Sequence, residues 1–226
     1  MTKALGASKP ILELAEELRE LGWTCDTLGP DDFSIVEKDR SRARRRYAES
    51  LRAYLAAHAA EYDIVDYSHE YLPFPRAEFC ASTLFVARSV LLAHHLETAR
   101  IPIGRDVKTQ IGALLKGPSR RRERRQMIAS AQETVRNADL VNVTNDDDRD
   151  ALIRCGIPAE KIVVLPFGIS RSRRPLFDAV SSGVPEKPVV AFVGTFDYRK
   201  GAREFPTIAQ NIVAAVPEAR FRLLGT

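Results

Sequence analysis

The sequence contains no apolar run close to the roughly 20 residues that a membrane-spanning helix needs. Its opening residues, MTKALGASKP, lack the apolar core of a signal peptide, which predicts a cytoplasmic protein. The three cysteines, Cys25, Cys80 and Cys155, are odd in number, widely spaced and without a C-x-x-C motif. This pattern is typical of reduced thiols and excludes a disulfide framework or a cysteine zinc site. Internal repeats, low-complexity tracts and the phosphate-loop motif G-x-x-x-x-G-K-[ST] are also absent from the sequence.

The composition is that of an ordinary globular protein. Hydrophobic residues make up 45% of the 226 residues and charged residues 28%, which excludes a disordered or collagen-like chain. The net charge of +4 suits an anionic ligand or membrane surface, but many proteins without such partners share it. A basic run at 116–125, KGPSRRRERR, has no interleaved aromatic residues, so we expect no nucleic-acid partner. The run is predicted to be a solvated helix face, with peripheral membrane contact as the alternative.

The clearest structural pattern lies in Pro188–Thr226. Val189–Val193 is a continuous apolar run that predicts a strand buried on both faces. A polar loop follows, and apolar residues then recur at helical spacing until a proline stops the helix. Phe221–Leu224 predicts a second strand, which completes a βαβ unit of a parallel sheet. Ligands of such sheets bind beyond the carboxyl ends of the strands, and the loop that contains Lys200 lies there.

The chain before this unit alternates predicted helices and strands, as in an α/β fold. Apolar stripes predict helices at 6–21, 40–60 and 146–155, and Ser8 is the predicted cap of the first of them. Strands are predicted at Trp23–Leu28, Ile64–Tyr67, Thr83–Arg88, 138–145 and within 157–169.

Two features predict that the sequence is a fragment. A single βαβ unit cannot bury both faces of its sheet, so the unit at 188–226 is expected to open a domain whose other strands are missing. Only Met1–Leu5 precede Gly6 and the first helix, and MTKAL does not have the pattern of a first strand. The 226-residue chain by itself is therefore expected to be inactive and to fold poorly.

Several motifs resemble those of family 4 glycosyltransferases of GT-B fold. G-T-F-D-Y-R-K-G followed by P-E-A-R-F-R-L-L-G is similar to the family's G-R-L-x-x-x-K-G and P-x-A-x-L-x-I-x-G. Upstream, A-D-L-V-N-V-T-N and I-P-A-E-K-I-V-V-L-P-F-G-I resemble A-D-x-V-x-x-x-S and P-x-x-K-I-x-V-x-P-N-G-V, with Phe167 in place of the usual asparagine. The resemblance implies a Rossmann-type parallel-sheet acceptor domain at 1–170 and a linker at 171–187. The first βαβ unit of a second Rossmann-type domain, which binds the donor, is then implied at 188–226.

The resemblance also implies site residues. Lys200, with Gly194 and Thr195, is implied to bind the donor's diphosphate, and Thr195 stands where the family has an arginine. Gly6 matches a loop glycine that approaches the donor phosphate. His69 follows a strand that carries a histidine into the family's cleft, and is the candidate catalytic residue. A structural role for His69 and a solvated loop for Lys200 are the alternatives.

A second histidine position departs from the family pattern. In the family, the strand equivalent to Thr83–Arg88 often ends in a histidine, whereas this chain has Ser89 there and His94 and His95 a few residues later. The sequence does not decide whether either of these histidines replaces the family's residue.

The implied reaction is transfer of a sugar from a nucleotide-sugar to a glycan, lipid-linked or small-molecule acceptor, with retention of configuration and without a metal or other cofactor. The implied location is the cytoplasm, with peripheral contact to the inner membrane face through 116–125. The family's acidic E-x(7)-E segment, which comes later in the donor domain, does not occur within 188–226. Two alternatives stay open: a catalytically dead remnant of such an enzyme, and a basic-surface binding protein. The sugar, the acceptor and the oligomeric state cannot be derived from the sequence.

Overall fold

The computed structural model describes residues 8–37, 39–95, 107–179, 187–196 and 200–225, without the side chains of residues 40 and 107–120. The chain divides into two compact units, Met1–Ser172 and Arg173–Thr226. None of the helices in the described ranges combines the length and the apolar character that crossing a bilayer requires.

The first unit is a parallel α/β structure. Its four strands form one sheet in the order β1-β2-β3-β4, and every neighbouring pair is parallel. The predicted Rossmann-like α/β fold is therefore confirmed for this unit. In the described residues the elements are α1 (Lys9–Glu20), α2 (Arg40–His58), β1 (Ile64–Ser68), β2 (Leu84–Arg88), α3 (Val107–Asn137), β3 (Leu140–Val143), α4 (Asp146–Arg154) and β4 (Ile162–Val164).

The core of the first unit lies around the central strands of this sheet. Phe85 on β2 and Val141 on β3 are almost completely buried, as are Val135 on α3 and Leu152 on α4. The apolar strands β2 and β3 are covered on both faces, because a parallel sheet is enclosed by the helices of its crossover connections.

Local sequence accounts for two of the helix starts. Asn145 caps α4 by accepting a hydrogen bond from the backbone N–H of Asp148. Asp39 caps α2 through the N–H groups of Ser41 and Arg42. The pKa of its carboxyl group is lowered, first by a hydrogen bond from the Ser41 hydroxyl and then by the N–H of Arg42. Ser8 takes the predicted N-cap position of α1, and its carbonyl accepts from the N–H of Leu12 at 3.1 Å, but its side chain makes no capping hydrogen bond.

An arginine connects the strands at the amino-terminal end of the sheet. The Nε of Arg76 donates to Asp139 Oδ2 at 2.8 Å, and its other nitrogens donate to the carbonyls of Thr83 and Cys80. Asp139 also accepts from the N–H of Phe85 at 2.8 Å. The guanidinium lies 4.5 Å from the Phe85 ring centre. These contacts hold the connections before β2 and β3 together at the end of the sheet opposite the candidate site.

The predicted strand at Trp23–Leu28 is wrong, because these residues form neither a strand nor a helix. They lie along a groove of about 170 Å³ whose other wall includes the outer edge of β1. Five of the six tyrosines in the sequence line this groove. Tyrosine hydroxyls, and not a neighbouring strand, form hydrogen bonds with this segment. Tyr62 donates to Asp26 at 3.1 Å, and Tyr47 donates to the Leu28 carbonyl at 3.3 Å. A strand needs a hydrogen-bonded partner, and the described residues provide none here.

The second unit is the predicted βαβ unit. After a short helix α5 (Arg174–Asp178), strand β5 (Val189–Val193) is followed by α6 (Phe205–Ala215) and by β6 (Arg220–Leu224), which pairs parallel with β5. Four phenylalanines connect the sheet to the start of α6 by edge-to-face contacts, with ring centres 5.1–6.0 Å apart: Phe192, Phe196, Phe205 and Phe221.

Strand β5 has an apolar pattern suited to burial on both faces, but in the described residues only one of its faces is covered. Val190 and Phe192 are half-buried beneath α6, whereas Val189, Ala191 and Val193 are exposed on the opposite face. Helix α6 covers one face of the sheet, and no other described element covers the second. A continuous apolar run in the sequence does not show which faces of the strand are covered in the fold.

Candidate functional site

Polar residues follow three of the four strands of the first unit at their carboxyl ends. His69 follows β1, the segment from Ser89 to His95 follows β2, and Asn145 follows β3 and begins α4. Because all four strands are parallel, these residues lie at one edge of the sheet. That edge is where open parallel sheets bind ligands.

His69 is buried rather than open to the cleft. Only 2% of the residue is exposed, and its Nε2 accepts a hydrogen bond from the backbone N–H of Ala93 at 3.1 Å. Burial, followed by the nearby His94, lowers the pKa of His69 from 6.5 to about 4, so the ring is neutral near pH 7. With Nε2 accepting, the proton lies on Nδ1, which has no hydrogen-bond partner among the described residues. This arrangement anchors the segment after β2 to the end of β1.

Ser89 and His94 are buried beside His69. The backbone N–H of Ser89 donates to the Asn142 carbonyl at 2.8 Å, and its hydroxyl has no partner among the described residues. His94 is close enough to His69 to disfavour a second positive charge there. Ser89 is completely enclosed in the first unit.

His95 is the exposed histidine of this edge. Its side chain is 45% exposed, and its Nε2 lies 2.6 Å from Oδ1 of Asp148, whose side chain is only 8% exposed. The other carboxylate oxygen of Asp148 accepts from Nδ2 of Asn145 at 3.2 Å. The segment after β2 is therefore joined to the start of α4 by a histidine–carboxylate–amide chain.

A cation is also fixed at this edge of the sheet. Arg88, the last residue of β2, donates from Nε to both carboxylate oxygens of Asp66 on β1, at 2.9 and 3.1 Å. Its Nη1 donates to the side-chain oxygen of Asn142 on β3 at 2.7 Å. The guanidinium thereby spans three neighbouring strands. The described residues contain no group of three or more His, Cys, Asp or Glu side chains arranged to hold a metal ion.

In the second unit, three predicted residues lie together at the end of β5. Gly194 follows the strand with φ +124°, and its N–H donates to the Leu224 carbonyl at 2.8 Å. A Cβ on Gly194 would lie 3.9 Å from Cε of Lys200, so the lysine stem passes next to this glycine. Thr195 and Lys200 are both exposed. A Cβ on Gly225 would lie 2.0 Å from the Gly194 carbonyl oxygen, so the two segments can approach this closely only because residue 225 is a glycine.

The structure thus brings together two sets of residues, one at the edge of each sheet. Lys200, Gly194 and Thr195 lie in the second unit, and His69, His94 and His95 in the first. Gly6 lies outside the described residues. The chain from Asn145 through Asp148 to His95 was not predicted from the sequence. A local signal existed, because an N-x-x-D pattern directly after a strand places an asparagine cap and an acidic third residue at a helix start.

A parallel α/β domain of this kind has a Rossmann-like fold, and proteins with such sheets bind their ligands at the carboxyl edge. The family model for Glycosyltransferase Family 4 matches residues 6–173, which include nearly the whole first unit. The chain belongs to this family of glycosyltransferases. No curated protein sequence matches the chain.

Proposed function

We propose that this protein transfers a sugar from a nucleotide-sugar donor to a hydroxyl-bearing acceptor with retention of configuration. The observation that carries the proposal is the match to Glycosyltransferase Family 4 over a parallel sheet whose carboxyl edge is polar. The first unit would take the acceptor and the second unit the nucleotide-sugar. A glycan, a lipid-linked saccharide and a small molecule are the acceptor classes that this assignment includes.

Lys200 is the proposed contact for the donor's diphosphate. It is an exposed cation between the end of β5 and the start of α6, next to a glycine that leaves the backbone open. Phosphate groups bind at such strand-to-helix loops because backbone N–H groups and a nearby cation both favour negative charge. When the sugar's bond to the diphosphate breaks, the charge that develops on the leaving group would be stabilised by Lys200 and these N–H groups.

We further propose a cytoplasmic location with contact to an anionic membrane surface through the run at 116–125. Within this run, side chains are described from Arg121 onward. Arg121, Arg122 and Arg125 are exposed on α3, while Ile128 and Val135 further along the same helix are buried against the sheet. An exposed basic helix face attracts anionic lipids by about 1 kcal/mol for each basic residue near the surface.

The diphosphate contact is tested by calorimetric titration of the protein with UDP, GDP and their glucose and mannose conjugates. Lys200→Ala should weaken binding of the nucleotide that the parent protein prefers. Loss of one charge-assisted contact corresponds to roughly 10- to 150-fold in Kd. Lys187→Ala is the matched control, because Lys187 is an exposed lysine just before β5, at the other end of the strand.

The possible results distinguish an error in the assignment of Lys200 from an error in the proposed function. An unchanged Kd for Lys200→Ala would remove Lys200 from the site. A parent protein that binds none of these nucleotides or nucleotide-sugars would count against the proposed function itself. Equal weakening by Lys187→Ala would indicate a general charge effect, which salt would screen.

A further inference from the structure

Arginines are concentrated at the start of α2 as well as on α3. The sequence of α2 from its cap onward, DRSRARRRYAE, contains five arginines but only two acidic residues. Arg42, Arg45 and Arg46 are exposed, and their spacing of three and four residues places them on one face of the helix. The acidic residues offset part of this charge, because Glu49 pairs with Arg45 at 3.8 Å and Asp39 lies near Arg42. The outer face of α2 therefore keeps a net positive charge at its start.

The helices α2 and α3 meet at Glu70, which follows β1. Arg44 on α2 places its Nη2 3.2 Å from Oε2 of Glu70, and the hydroxyl of Ser130 on α3 donates to the Glu70 carbonyl at 3.0 Å. Each helix leads into the start of a strand, α2 into β1 and α3 into β3, so each begins at the carboxyl edge of the sheet. At 1.5 Å per residue, Arg121–Arg125 lie about 8–14 Å before Ser130 along α3. The arginines of both helices are therefore grouped at the carboxyl edge.

Exposed apolar side chains lie at the same edge. Val36 precedes the cap of α2 by three residues and is 92% exposed, the highest value among the large hydrophobic residues of the described chain. Leu91, in the segment after β2, is 67% exposed. Single exposed apolar residues are common on protein surfaces. Next to basic helix faces, however, they match the composition of surfaces that lie on membranes, where the cations meet the headgroups and the apolar side chains enter the acyl boundary.

We propose that the exposed arginines of α2 and α3, together with Val36, form one surface that binds an anionic bilayer. This surface extends the contact proposed for 116–125, because it adds a second helix and an apolar residue. It also turns the carboxyl edge of the first sheet toward the lipid. That this edge is the acceptor side rests on the proposed function, whereas lipid binding and its orientation do not.

The distribution of the cations favours a bilayer over a single anion or a nucleic acid. A free phosphate binds where several donors converge on one point. Here the arginines are spread over roughly 10 Å on the outer faces of two helices, which fits many separate headgroups. The exposed stretches RARRR on α2 and RRERRQ on α3 contain no aromatic residue on which a base could stack.

Binding is measured by sedimentation of the full chain with vesicles of phosphatidylcholine, with and without one-quarter phosphatidylglycerol. We expect binding only to the anionic vesicles, and weaker binding as salt is added. Two double variants, Arg42→Gln with Arg46→Gln (the α2 pair) and Arg121→Gln with Arg125→Gln (the α3 pair), should each raise Kd by roughly 10- to 30-fold. Val36→Ser should raise Kd by roughly 3- to 10-fold, because an apolar side chain no longer leaves water.

The matched control is Arg136→Gln with Arg154→Gln. Arg136 lies near the end of α3 and Arg154 ends α4, and both are exposed. These helix ends lead into β3 and β4, so they lie at the amino-terminal edge of the sheet, away from the proposed surface. The control removes the same charge and should leave vesicle affinity nearly unchanged.

The orientation is measured by fluorescence quenching with brominated lipids. Trp23 is the only tryptophan of the sequence and lies toward the amino-terminal edge, because nearby Asp26 accepts from Tyr62, which precedes β1. The parent protein should therefore keep its fluorescence when it binds the vesicles. Val36→Trp, introduced together with Trp23→Phe, should be quenched by the same vesicles.

Each result supports or overturns a part of the proposal. A parent protein that does not bind anionic vesicles, or a control that weakens binding as much as the α2 pair, overturns the surface. An effect of the α3 pair without one of the α2 pair overturns the joint role of the two helices. Quenching of Trp23 without quenching in Val36→Trp overturns the orientation.

Two further results separate this surface from other assignments. Tighter binding of a single-stranded thymidine oligonucleotide than of the vesicles, unchanged in Val36→Ser, would identify nucleic acid as the partner and overturn the proposal. Vesicle binding in the stated orientation by a protein that binds no nucleotide-sugar would support the surface and count against the proposed function alone.

Discussion

At the scale of single residues, His69 makes the folded state sensitive to acid. Its folded pKa is about 4 because burial disfavours the charged ring, whereas the unfolded chain takes up this proton near pH 6.5. The unfolded state therefore binds more protons between these values, and the contribution of His69 to stability is complete above pH 6.5 and is lost as the pH falls toward 4. The size of this contribution is about 3 kcal/mol, since each pKa unit corresponds to about 1.4 kcal/mol.

His69→Gln should remove most of this dependence, because its amide oxygen can accept from Ala93 while the residue no longer titrates. Between pH 7 and pH 4.5, we expect the decrease in the free energy of unfolding to be about 2–3 kcal/mol smaller in His69→Gln than in the parent protein. Urea denaturation at the two pH values measures this difference. The same slope in His69→Gln and the parent would show that protonation of His69 is not linked to unfolding.

At the scale of elements, the contacts of Arg76 stabilise the start of β2 and β3. Arg76→Met would leave Asp139 without its cation and the Thr83 and Cys80 carbonyls without their donor. We expect a loss of about 2–3 kcal/mol in the free energy of unfolding, measured by urea denaturation. Arg52→Met is the matched control, because Arg52 pairs with Glu78 at 2.6 Å on a more exposed surface. It should cost at most about 1 kcal/mol, and equal losses in the two variants would refute a special role for Arg76.

The sequence was a good guide to elements whose signals are local. The strands β1 to β6 and the helix α6 were predicted from apolar runs and helical spacing, and all are present. Trp23–Leu28 has an equally local strand pattern, but pairing depends on a neighbour that sequence periodicity does not reveal. The same limit applies to the site. The position of His69 after a strand could be predicted, but its enclosure could not, and His95 meets a carboxylate 53 residues away.

At the scale of the whole molecule, the two units differ in how far their sheets are covered. Val141 and Val143 in the first unit are completely buried, whereas Val193 and Leu224 in the second are 72% and 52% exposed. These two exposed residues are paired neighbours on β5 and β6, so the described part of the second unit presents a contiguous apolar surface. Such surfaces promote association between molecules.

Val193→Lys should therefore reduce association without loss of stability. The side chain already lies mostly in solvent, so a lysine there would stay hydrated and add charge repulsion between copies. Light scattering against protein concentration should show a smaller average mass than for the parent protein, with an unchanged denaturation midpoint. Phe192→Lys, one position earlier on the face packed against Phe196 and Phe205, is the contrasting variant. It should destabilise the second unit by about 2 kcal/mol, because the half-buried ring packed against Phe196 and Phe205 is lost and a charge takes its place. If Val193→Lys left the average mass unchanged, association would have to come from another surface.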